Sequence, residues 1–122
     1  IHRDFHPGQV LVDGEGLVLI DFDLYAHGDP GLDVGNFAGH LIELALRKTG
    51  DPTALDDRVE AMVQRFIECS GEQVRFSVAA YTLLTLVRHI YLSTQYPDRN
   101  HTTERLLELC ERRLENGGSQ WT

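Results

Sequence analysis

Gln9-Val10-Leu11-Val12-Asp13-Gly14-Glu15-Gly16-Leu17-Val18-Leu19-Ile20-Asp21 is the stretch that decides the fold. Its two aliphatic runs, 9–12 and 17–21, are too short for helices. Asp13-Gly14-Glu15-Gly16 between them is a turn signal with two glycines free to take positive φ. The stretch predicts a β-hairpin, with buried aliphatics leading up to Asp21. A hairpin reverses the chain, so Asp4 on the loop before it and Asp21 at its far end can face one site.

Downstream the pattern becomes helical. Val34, Phe37, Ala38, Leu41, Ile42 and Ala45 repeat on one face, predicting a first helix over 32–48 that stops at Gly50. A second helix is expected from about Thr53, where Thr53 to Asp56 resembles a capping box. Its stripe is Leu55, Val59, Met62, Val63, Phe66 and Ile67, and Gly71 ends it. Ser70 and Gln73 form a second box-like start. The third helix then carries Phe76, Ala80, Leu83, Leu84, Val87 and Tyr91, is apolar on more than one side, and is expected to be central. Tyr96-Pro97-Asp98 breaks it. A fourth helix spans 103–115 with Leu106, Leu107, Cys110 and Leu114 buried, and 117–122 reads as a frayed tail. The fold class is α+β, mostly α: a short hairpin and about four helices.

The 122 residues suit one domain, divided into a Gly-, Asp- and His-rich segment (1–36), a helical segment (37–116) and the tail. Hydrophobic residues at 42% and charged residues at 25% are ordinary for a soluble globular protein. A net charge of -8 argues against a nucleic-acid partner, which a basic patch would mark. No apolar run approaches a membrane span and no signal peptide opens the chain. Cys69 and Cys110 both fall at apolar helical positions, so they read as buried free thiols of a reducing cytoplasm. Met62 is the only methionine, so the native start is expected elsewhere.

Two acidic clusters flank the hairpin: His2-Arg3-Asp4-Phe5-His6-Pro7-Gly8-Gln9 and Ile20-Asp21-Phe22-Asp23. Two carboxylates and an amide brought together suit a hard divalent cation, which prefers oxygen ligands. Phosphoryl transfer uses such an ion to neutralise phosphate charge while a nearby carboxylate takes the proton of the attacking hydroxyl.

His2-Arg3-Asp4 followed five residues on by an amide resembles the kinase catalytic loop H-R-D-x-x-x-x-N. His6-Pro7-Gly8 brings it closer to the aminoglycoside phosphotransferase and choline kinase family. Ile20-Asp21-Phe22-Asp23 resembles that family's metal-binding segment. Gly28-Asp29-Pro30 with Leu32-Asp33-Val34 resembles the segment that follows. These three ordered motifs lie within residues 1–36.

The resemblance implies the C-terminal lobe of a kinase-like fold, with the N-terminal lobe absent. Asp4 would be the catalytic base. Asp21 would hold Mg²⁺ against the phosphates of ATP, with Asp23 assisting. Gln9 stands where the family has a metal-binding Asn, and its extra methylene is a departure. His2 and Asp33 would be structural supports of the catalytic loop. The parent protein would phosphorylate a hydroxyl of a small molecule such as an aminoglycoside, a choline-like amino alcohol or a sugar. The Gly-rich phosphate loop and the strand Lys are not in these residues, so the fragment alone is expected to be inactive. The face left by the absent lobe would promote dimerisation.

Simpler readings stand beside these. Asp33 before a periodic run is an N-cap in its plainest reading, and Asp29 before Pro30 a turn or cap residue. His27, His40, His89 and His101 read as structural or solvated. Two rival functions are a non-catalytic pseudokinase, favoured by Gln9, and a metal-dependent hydrolase with Zn²⁺ on His2, Asp4 and His6.

Overall fold

The computed structural model describes residues 1–117. Among them the order is a 3-10 turn (Pro7–Gln9), strands β1 (Val10–Asp13) and β2 (Gly16–Leu19), then helices α1 (Gly31–Thr49), α2 (Asp56–Ser70), α3 (Val74–Gln95) and α4 (Thr103–Glu115), with a 3-10 segment (Pro97–Thr102) before α4. The fold is mostly helical α+β: an antiparallel hairpin followed by four helices.

The hairpin pairs Val10 with Leu19 and Asp13 with Gly16. Gly14 alone of the turn residues takes positive φ, +60°, the pattern of a II′ turn, whose twist matches that of the strands. The strands stand in solvent rather than in the core: Val12 and Leu17 are 72% and 71% exposed, and Ile20, expected to be buried ahead of Asp21, is 38% exposed. Two strands alone cannot bury both of their faces.

Helix α1 begins where Asp29 Oδ1 accepts from the Gly31 amide at 2.8 Å, so Asp29, not Asp33, satisfies the helix start. It ends at Gly50, whose φ of 78° closes the last turn onto the Leu46 carbonyl. Helix α2 starts later than Thr53. The Thr53 hydroxyl and amide both bond Asp51 Oδ1, at 2.7 and 2.9 Å, so the expected capping box does not form and the chain turns there instead. At the next junction the Gln73 side chain donates to the Ser70 carbonyl at 2.6 Å, and α3 follows from Val74.

Helix α3 is central, packed against α1, α4 and α2. Its close contact with α1 depends on two glycines one turn apart. A Cβ on Gly35 would lie 2.6 Å from the Tyr81 Cβ, and one on Gly39 2.6 Å from the Thr85 Cβ. The core gathers Ile42 and Leu46 of α1, Leu83 and Leu86 of α3, and Leu106 and Cys110 of α4.

Several expected core residues lie outside. Phe76, Leu84, Val87 and Tyr91 of α3 and Leu107 and Leu114 of α4 are exposed, because α3 turns Val74, Val78, Leu83 and Leu86 inward and α4 turns Leu106 and Cys110 inward. Cys69 is exposed; only Cys110 is buried, and burial pushes its thiol pKa up. Of the expected tail, Gly117 is buried and the rest, with Trp121, lies outside the described residues. Among the described residues no helix is long and apolar enough to cross a membrane.

Candidate active site at the hairpin mouth

The loop ahead of the hairpin is held from two directions. From α1, Asp33 Oδ2 accepts from the His2 amide at 2.8 Å and Oδ1 from the Arg3 amide at 3.0 Å. A single carboxylate with two acceptors suits two successive amides. From just beyond β2, the Ile20 carbonyl bonds His2 Nε2 at 2.8 Å, while the Asp4 amide donates to His2 Nδ1 at 3.2 Å. An acceptor on Nε2 and a donor on Nδ1 place the ring proton on Nε2. The buried His2 ring therefore ties the backbone of Asp4 to the residue before Asp21.

Gln9 brings the side chains together. Its Nε2 donates to Asp4 Oδ2 and to Asp21 Oδ2, each at 3.2 Å. Gln9 itself is buried, and its carbonyl accepts from the Ile20 amide at 3.0 Å, one step beyond the hairpin ladder. Arg3 and Asp21 both hold positive φ, 76° and 63°. Aspartate tolerates that conformation better than arginine, and the Asp33 clamp on the Arg3 amide holds the less favourable of the two in place.

Two carboxylates facing one point form an oxygen-rich set that fits a hard divalent cation such as Mg²⁺. The amide turns its nitrogen toward them, because carboxylates only accept. For Gln9 to serve as a ligand its amide would have to present oxygen instead. Asp23 is exposed on the following turn, and among the described residues no group of three or more His, Cys, Asp or Glu side chains gathers as a metal site.

The His2-Asp4-His6 zinc arrangement is not formed: both His2 nitrogens are engaged with backbone groups. His6 Nδ1 accepts from the Gly8 amide at 3.1 Å, and its Nε2 lies 3.9 Å from Asp4 Oδ2. His6 begins a row of rings leading into the helices, 5.1 Å from His40, which is 4.7 Å from His89. Burial pushes the His40 pKa down to about 3, and lowers that of His89 as well.

Sequence patterns had not marked Asn36 and Thr85. Asn36 Nδ2 donates to the Phe5 carbonyl at 2.9 Å, and its Oδ1 accepts from the Thr85 hydroxyl at 3.1 Å, so α3 supports the loop through α1. An Asn three residues after Asp33, on the same helix face, was the available signal. Glu43 and Arg47 were equally legible as an i,i+4 pair; they meet at 2.8 Å with Glu43 buried.

A family model, APH, described as the phosphotransferase enzyme family, matches residues 1–68, more than half of the chain. Neither the search of curated proteins nor that of solved structures gives a match.

Proposed function

The chain belongs to the phosphotransferase enzyme family, and from that premise we propose that it is the catalytic part of an ATP-dependent kinase acting on a hydroxyl of a small molecule. The observation that carries the reading is the sharing of one Gln9 amide nitrogen by Asp4 and Asp21 across the hairpin.

In this reading Asp4 lies against the acceptor and takes the hydroxyl proton as the alcohol oxygen bonds to the γ-phosphorus and the bond to ADP breaks. Mg²⁺, when bound with ATP, would neutralise phosphate charge. Asp21 would hold it, Gln9 would join after turning its amide, and Asp23 would assist. His2 and Asp33 keep Asp4 in register with Asp21 and touch no reactant. A Gly-rich loop and a strand Lys would grip the nucleotide phosphates.

A screen of phosphate acceptors with the full-length protein tests the reading. Asp4→Ala should lower kcat by about 10²-fold or more; unchanged turnover removes Asp4 from the mechanism. The non-catalytic alternative rests on Gln9 standing where the kinase catalytic loop has Asn. Mg²⁺-dependent ATP binding that disappears in Asp21→Ala decides against it.

A further inference from the structure

Beside the candidate base, a cavity of about 330 Å³ is lined by His6, His40, Glu43, Arg47 and Arg99 among others. His6 is its link to the chemistry, with Nε2 3.9 Å from Asp4 Oδ2. A volume of this order is that of a small-molecule site.

The charge on its walls is unlike that of the chain as a whole. Net charge is -8, yet the cavity offers two guanidinium groups and one carboxylate. That carboxylate, on Glu43, is only 3% exposed and already neutralised by Arg47 Nε at 2.8 Å. Arg99 forms no ion pair among the described residues; its guanidinium lies 5.4 Å from the Tyr96 ring centroid. His40 adds no negative charge. Its Nε2 faces Arg88 at 3.5 Å, a group that only donates, so the proton of the neutral ring sits on Nδ1. The wall therefore carries one positive charge in excess.

We propose that this cavity binds the acceptor molecule through an anionic group, a carboxylate or phosphate held by Arg99 and Arg47, with the acceptor's hydroxyl directed past His6 toward Asp4. The inference rests on the kinase reading and narrows it. A polycationic aminoglycoside or a choline-like cation would meet two guanidinium groups and a carboxylate that is already paired. Arginine suits the alternative, since its planar fork matches carboxylate and phosphate geometry.

The test uses full-length protein with matched acceptors: glycerate against glycerol, pantothenate against pantothenol, and choline as the cation. Support is a kcat/KM at least tenfold higher for an acid than for its neutral partner, with Arg99→Gln raising KM for the acid at least tenfold at little change in kcat. Arg99→Lys, which keeps the charge, should restore most of the loss, and equal melting temperatures show that the variants are folded. Preference for the neutral or cationic acceptors, or an unchanged KM in Arg99→Gln, overturns the anionic acceptor and leaves the kinase reading standing. If no acceptor in the panel is phosphorylated, the kinase reading loses support and calorimetric titration with glycerate and pantothenate judges the cavity alone. Binding lost in Arg99→Gln sustains the anion site, and no binding of either acid overturns it.

Discussion

Asp4 and Asp21 meet on one nitrogen: the Gln9 amide donates to Oδ2 of each at 3.2 Å, although the two aspartates lie on opposite sides of the hairpin. Two carboxylates this close repel unless something positive or donating stands between them. In this structure the amide fills that role, and in the proposed reaction a cation would.

Gln9→Leu keeps the bulk and removes the donor. Stability in EDTA should fall by about 1–3 kcal/mol, and Mg²⁺ should restore part of it. Urea unfolding with and without the ion measures both. A variant as stable as the parent in EDTA would show that the amide does not hold the pair.

Asp33→Ala should leave the His2 and Arg3 amides without their acceptor and release Arg3 from its positive φ. The expected loss is about 2–3 kcal/mol, with faster hydrogen exchange at those two amides. Were Asp33 merely a helix cap, exchange would quicken along the first turn of α1 and not in the loop.

Gly39→Ala is normally a gain in a helix, by up to about 1 kcal/mol. Here the new Cβ would sit 2.6 Å from the Thr85 Cβ, so α1 and α3 must part. A destabilisation of about 1–3 kcal/mol is expected. A higher melting temperature would contradict the close approach of the two helices.

Acid should weaken the fold through its buried imidazoles. His40 has a folded pKa pushed down to about 3 by burial, and that of His89 is lowered too, so the unfolded chain binds more protons once pH falls below the ordinary histidine range. Their neutral packing is fully favourable above about pH 6.5 and is lost progressively as pH falls toward 3. Melting temperature should therefore drop between pH 7 and pH 5.5, a range chosen to lie above most carboxylate titration. His40→Gln should flatten that drop; an identical slope in the variant would assign the effect elsewhere.

The hairpin, the glycine stops at Gly50 and Gly71 and the break at Tyr96-Pro97 were legible because each is local: a few residues of restricted backbone settle them. So were the three ordered motifs of the first 36 residues, each a run of contiguous side chains. Which apolar residues would be buried was less legible. Leu84, Val87 and Tyr91 obey helical spacing as well as Leu83 and Leu86 do, and periodicity alone cannot say which face of an all-round apolar helix meets its neighbours.

By itself the sequence determined that a tight turn folds the segment after Asp4 back toward Asp21, and that helices follow. Tertiary structure alone decided that a glutamine nitrogen would stand between the two carboxylates, that Asp33 would reach across from α1 instead of capping it, and that Arg47 and Arg99 would face one cavity. Those outcomes depend on how α1, α3 and the 3-10 segment dock against the loop. Side chains from distant segments are brought within hydrogen-bond range by packing, which no local pattern records.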